Sequence, residues 1–333
     1  MPQFPPAAVA TVAALVAALA AAAGGVLVRG STAVPAAAWA VAACLAFALE
    51  MGLRSAGMLV DPGTQAAARL VAAALAVCPT MSLLGAKRPQ HGVWQFIVAT
   101  LAVVLALPAA IALLVRPGDL PDVHPLGRWF LLGLTAVGWM NFVGTRHALS
   151  ASLVTAGQFV IVRRFLPGFT GSDSPAALVL DAAGALAVAA GGVLAAASSA
   201  GRARRGRAGR AAAANPAADD AARALIDPPF LALRETLGAA WALRIGERFD
   251  AIAAKRGWPC RLTFRGLEPC DGVAAEWRRD AGRSFRALAR RFVTDDWLRR
   301  HGCVAERSSA APGAGGSADS WSPPAAAGTL PPR

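Results

Sequence analysis

VWQFIVATLAVVLALPAAIALLV, residues 93–115, decides the fold. It carries no charged side chain. A bilayer core about 30 Å thick takes about 20 apolar residues as a helix. Within that core only a helix or a closed barrel satisfies its own backbone groups. The stretch is therefore a transmembrane helix, and Pro108 is expected to kink it by removing one ladder hydrogen bond.

Working outward, six more stretches read the same way: Ala7–Val28, Val34–Leu53, Ala66–Ala86, Trp129–Thr145, His147–Val162 and Ala176–Ala197. The expected fold is an all-α membrane protein, a bundle of seven transmembrane helices. Six is the alternative, because the fifth and sixth spans are short and almost contiguous. The first span follows a leader, MPQFPP, without Lys or Arg, and is longer than a secretory h-region. It is read as retained, with cleavage near Ala22–Gly24 as the alternative.

Composition agrees. The chain of 333 residues is 56% hydrophobic and 16% charged, with a mean hydropathy of +0.47. Soluble domains carry about 25% charge. The charge is uneven: residues 1–200 hold 10 of the 33 Lys/Arg and 6 of the 20 Asp/Glu. Glycine without a three-residue period excludes collagen, and five Cys in so long a chain exclude a disulfide scaffold.

The remainder divides by pattern. Residues 1–200 form the transmembrane domain and 201–227 an Arg-rich juxtamembrane segment and linker. Residues 228–304 form a small α-rich soluble domain with one short strand or hairpin, and 305–333 a disordered tail. Within the soluble domain, Phe230, Leu233, Leu237, Trp241, Ile245, Phe249 and Ile252 recur at helical spacing, predicting one amphipathic helix ended by Gly257. Leu262 and Phe264 suggest the strand. Val273, Trp277, Ala281, Phe285, Leu288 and Phe292 mark a second helix, which Trp297 extends.

GRARRGRAGR, residues 201–210, sets the orientation. Positive charge near a span stays inside, so Arg202, Arg204, Arg205, Arg207 and Arg210 place the C-terminal domain in the cytoplasm of an inner (plasma) membrane, facing anionic headgroups. Without that segment the loop bias decides nothing, and Arg163–Arg164 in an outer loop contradicts it. The net charge of +13 does not point to nucleic acid, since no aromatic residue is interleaved with these arginines. Lys87 and Arg88 form a second basic group at the inner surface.

Chemistry inside the spans rests on few residues. Asp181 and Arg69 are ionisable residues expected near the outer surface, where pairing would neutralise both. Asn141 and Gln158 are candidates for hydrogen bonds between helices, and the glycines of the later spans for close packing. In CPTMSLLGAKRPQHGVW, residues 78–94, Pro79 with Thr80 and Ser82 is expected to break the third span near its inner end, and Trp94 to anchor the fourth. Cys260, Cys270, His301 and Cys303 are weak zinc candidates, because the first pair lacks the close spacing of a structural site. No phosphate loop, dinucleotide fingerprint, zincin helix or nucleophile elbow occurs. No cofactor is expected.

CPTMSLLGAKRPQHGVWQF (78–96) and WALRIGERFDAIAAKRGWPCRL (241–262), with the spans-then-helices layout, resemble an uncharacterised family of bacterial multi-pass membrane proteins. The resemblance covers about Ala66–Trp297, implies the architecture and transfers no catalytic or binding residue. The expected role is a non-enzymatic membrane scaffold or regulator. It would present its helical domain to a cytosolic partner or to a second copy of itself. The alternative is a small transporter using Asp181 and the broken third span.

Overall fold

The computed structural model describes residues 5–85, 87, 91–166, 174–212, 220–269 and 276–302. Seven helices come first: α1 (Pro6–Leu27), α2 (Val34–Ser55), α3 (Pro62–Leu84), α4 (His91–Leu114), α5 (Pro125–Met140), α6 (Ala148–Val162) and α7 (Pro175–Ala212). Each overlaps one of the seven sequence stretches, but α5 begins and ends four to five residues earlier than expected and α7 runs on to Ala212. Five of them, α1 to α4 and α7, are long and apolar enough to cross a bilayer. α5 and α6, at 16 and 15 residues, are shorter than a span ordinarily requires.

Small residues set the packing. α1 lies between α2 and α7, and α3 between α2 and α4. The first contacts bury Ala10, Ala13, Ala14, Ala17, Ala182, Ala185 and Ala189 around Phe47 and Met51. α6 and α7 approach most closely at Gly157, Gly184 and Gly191. A Cβ on Gly157 would meet the Gly184 carbonyl, and one on Gly191 would meet the Ser150 carbonyl. The outer faces keep large apolar side chains exposed, including Leu19, Leu49, Phe96 and Leu114. A soluble monomer rarely displays so extensive an apolar surface.

Proline does not break α3. The helix continues through Pro79 to Leu84. Gln158 of α6 donates to the Ala76 carbonyl at 2.7 Å, three residues before Pro79. The carbonyl that Pro79 leaves without its helical donor is that of Leu75, one residue earlier, so the Gln158 bond ties α6 to α3 beside the proline without replacing the lost ladder bond. α4 likewise runs through Pro108.

The C-terminal domain holds α8 (Asp220–Leu237), α9 (Ala239–Arg256), a hairpin of β1 (Cys260–Thr263) and β2 (Gly266–Pro269), α10 (Glu276–Ala289) and α11 (Asp295–Arg300). Its core joins Ile226, Phe230, Phe249, Leu262, Phe285 and Trp297. Among the described residues of this domain, Leu243 alone is a large apolar side chain left exposed.

Three sequence expectations change here. The amphipathic run over 230–252 is two helices, because Gly238 adopts φ +88° and turns the chain. The domain begins earlier than residue 228, since α8 starts at Asp220 and Ile226 is fully buried. Trp297 belongs to a separate helix, α11, whose N-cap Thr294 accepts from the Trp297 backbone. The segment expected beside the membrane, 201–227, is helical over residues 201–212, where it continues α7 past the apolar stretch that ends at Gly201. The expected tail, residues 305–333, lies outside the described residues, as do Arg88, Cys270 and Cys303.

Candidate functional site

Two polar constructions occupy opposite ends of the bundle. The first is ionic. Arg69, about two turns into α3, is fully buried. Its Nε donates to Glu50 of α2 at 2.6 Å and its Nη2 to Asp181 of α7 at 2.9 Å. The other Asp181 oxygen accepts from Nη1 of Arg163, which follows α6. Phe47 covers the Arg69 guanidinium at 4.8 Å, and Arg54 stands 3.9 Å from Glu50. Two carboxylates thus meet two closely bound guanidinium groups, and the cluster is neutral before Arg54 is counted. Four helix segments are tied together at one level.

The sequence singled out Arg69 and Asp181 and missed Glu50 and Arg163. Glu50 carried a usable signal, as the single acid within an otherwise apolar span. Arg163 did not, because its position after α6 read as a loop charge. Its side chain is 11% exposed and bonded to Asp181, so its charge is neutralised inside the protein. That removes half of the Arg163–Arg164 objection to the expected orientation.

The second construction joins the bundle to the C-terminal domain. Asn141, at the end of α5, donates from Nδ2 to the Leu237 carbonyl and accepts at Oδ1 from the Ala240 backbone. Its own carbonyl accepts from the Ala239 backbone at 2.6 Å. These bonds hold the α8–α9 turn, and Gly238 is required there because a Cβ would collide with Asn141. Glu235 of α8 accepts from the Arg146 backbone at 2.9 Å. The indole of Trp241 donates to the Leu83 carbonyl at the end of α3. The loop after α1 pairs with the segment after α10: Thr32 donates to the Phe292 carbonyl and Thr294 to the Gly30 carbonyl.

Two cavities, of about 240 and 420 Å³, lie at this junction and share Lys87, Trp241 and Arg244. Neither is lined by the ionic cluster. Lys87, predicted as a surface cation, stands 5.6 Å from the Trp241 ring, with Arg244 5.2 Å from the same ring.

The remaining sequence candidates do not converge. Arg202, Arg204, Arg205, Arg207 and Arg210 lie on the helical extension of α7. Cys260 is buried in the apolar core of the C-terminal domain. His301 stacks on Trp297 with centroids 3.8 Å apart, and its Nδ1 lies 2.8 Å from the Trp297 carbonyl. Cys270 and Cys303 fall outside the described residues, and among the described residues no group of three metal-ligating side chains forms. The chain matches no protein-family model, no curated protein and no solved structure.

Proposed function

We propose that this chain is an integral protein of the inner (plasma) membrane that crosses seven times and carries its C-terminal domain in the cytoplasm. There it acts as a non-enzymatic scaffold or regulator, presenting that domain to a cytosolic protein partner. The observation that carries the reading is the docking of the domain. Loops after α1 and α5 and the end of α3 all bond to it through main-chain groups. Bonds of this kind fix the domain's orientation relative to the bundle. A partner would therefore meet a rigid surface coupled to the spans, not a tethered module.

Helix direction supports seven crossings. α6 begins beside Arg146, at the domain end, and closes at Arg163, at the ionic cluster. Short as it is, it joins the two ends of the bundle. Ser198 of α7 lies 3.4 Å from His147, so α7 returns to the domain end.

A transporter built on Asp181 would need a carboxylate open to an ion or proton. Both oxygens of Asp181 are occupied by guanidinium groups, and the scaffold is preferred on that ground.

Two experiments test this. A fluorescent protein and an exported phosphatase, each fused after Cys303, report the side of the membrane; fluorescence with a silent phosphatase is expected. Phosphatase activity would overturn the orientation. Deleting residues 216–304 should leave insertion intact and abolish association with partners; unchanged partners and phenotype would sink the scaffold reading.

A further inference from the structure

The cavities at the junction are unlike the rest of the surface. Lys87, Arg244, Arg248 and Arg291 all line the smaller one, with Glu247 its single carboxylate. None of the four cations forms an ion pair among the described residues, whereas arginines elsewhere on the domain, such as Arg256, Arg286 and Arg290, do. The larger cavity shares Lys87, Trp241 and Arg244 but is otherwise walled by Leu84, Gly85, Val93, Trp94 and Ile97. Val93 and Ile97 are exposed on the first turns of α4, beside Phe96 on the same helix. A charged chamber thus adjoins an apolar one that opens along the outer face of a span.

We propose that this junction binds an anionic phospholipid, its phosphate held by Lys87 and Arg244 and its acyl chain lying over Val93 and Ile97. The site is built in advance. Trp241 is 4% exposed, tied to the Leu83 carbonyl and packed on Phe292 with ring centroids 5.0 Å apart. Its ring is a fixed platform on which both cations rest, and cation–π contact leaves their N–H groups free to donate to a phosphate. Trp94 donates to the Met81 carbonyl at 2.8 Å, and Trp is the residue type that marks the headgroup level. A free phosphate would use the cations alone. The apolar half of the lining, continuous with the outer face of α4, selects a lipid. This rests on the reading that α3 and α4 cross the bilayer. If that reading fails, the chain leaves the membrane fraction; if only the lipid site fails, the chain stays there.

The test uses the full chain in a neutral detergent and reads its apparent Tm. Phosphatidylglycerol, phosphatidylcholine with the same acyl chains, and inorganic phosphate are added in parallel. A ligand that binds only the folded state raises Tm, by about 2 °C at ten times its dissociation constant and about 4 °C at a hundred times. That rise is expected with phosphatidylglycerol. It should fall by at least half in Lys87→Gln/Arg244→Gln and persist when the arginines at 202, 204, 205, 207 and 210 are changed to Gln. Arg244→Gln alone, an exposed position, serves if the double variant is unstable without lipid; it too should lose part of the rise. An equal rise with phosphatidylcholine or with inorganic phosphate overturns the proposal. So does a rise that survives the Lys87 and Arg244 changes, or one that disappears with the juxtamembrane arginines instead.

Discussion

Replacing Arg69 with Met removes the group on which two buried carboxylates converge. Glu50 would lose a 2.6 Å bond and keep only Arg54 at 3.9 Å. Asp181 would lose a 2.9 Å bond and keep Arg163. Opposite charges about 4 Å apart attract by about 4 kcal/mol at an effective dielectric near 20. Breaking a buried pair by removing one partner costs about 3–5 kcal/mol, because a charge is left uncompensated. With an unfolding entropy of about 2.1 cal/mol/K per residue, each kcal/mol lowers the Tm of a chain of 333 residues by about 1.4 °C, so a loss of roughly 4–7 °C is expected. The assay is the fraction of monodisperse protein remaining after heating in mild detergent, read by size-exclusion chromatography. An exchange of charges sharpens it. Were Arg69 and Asp181 an isolated pair, Arg69→Asp with Asp181→Arg would restore stability. Here the carboxylate introduced at 69 would face Glu50 and the guanidinium introduced at 181 would face Arg163. The exchange is therefore expected to fail, and Arg69→Met combined with Glu50→Gln and Asp181→Asn to recover part of the loss. A drop below about 2 °C for Arg69→Met, or full rescue by the exchange, refutes the four-member cluster.

At the other end, Asn141→Ala removes the side-chain bonds to Leu237 and Ala240. With those buried groups unsatisfied it should cost about 1–3 kcal/mol, and raise amide exchange in α8 and α9 while α1 to α4 stay protected. Gly157→Val sets a branched side chain against the Gly184 carbonyl and should destabilise the α6–α7 contact by about 1–3 kcal/mol. Gly133→Ala, where a Cβ meets nothing within 4 Å, should leave Tm unchanged or slightly raised, and an equal loss at both positions contradicts the packing. Asp295 accepts from Arg290 and Arg286, and the Arg290 bond chiefly holds its carboxyl below the usual range. A carboxyl held low in the folded state contributes stability present above its unfolded value of about 3.9 and lost as pH falls through the lower folded value. Amide protection of α11, corrected for intrinsic exchange, should therefore weaken below about pH 4, and Asp295→Asn should lose that dependence; an unchanged pH profile in the variant removes Asp295 as its origin.

The membrane helices were legible because hydrophobic length is a local property that residues 93–115 display without help from any neighbour. The five long apolar helices, α1 to α4 and α7, follow from such runs, while α5 and α6, at 16 and 15 residues, fall short of that length. Partnership was less legible. Arg69 and Asp181 stood out because charge in a span is costly, but Arg163 lay beyond its span and gave no signal until α6 and α7 were placed side by side. The division of 220–256 was hidden for a related reason. Periodicity continues across Gly238 in register, and glycine alone does not end a helix. What ends it is Asn141, 97 residues earlier, whose side chain bonds both sides of the turn. Pro79 misled in the opposite direction, since α3 is packed against α2, α4, α5 and α6, and that packing tolerates the one ladder bond a proline removes.

The two polar constructions divide the work of a docked domain. The ionic cluster joins α2, α3, α7 and the segment after α6 by charge, and its strength lies in exclusion from water. The junction uses hydrogen bonds made by main-chain groups, by the Asn141 and Glu235 side chains and by one buried indole, each worth about 0.5–1.5 kcal/mol. Charge ties one end, and many smaller bonds tie the other. Any ligand, lipid or protein that shifts the domain acts at the junction, where Lys87, Trp241 and Arg244 lie on both sides of the boundary between bundle and domain. A lipid held there would lengthen the list of contacts holding the domain in place, and its removal would loosen the domain without unfolding the spans. Regulation by membrane composition then requires no conformational change inside the bundle, only a change in how firmly α9 is held against the end of α3.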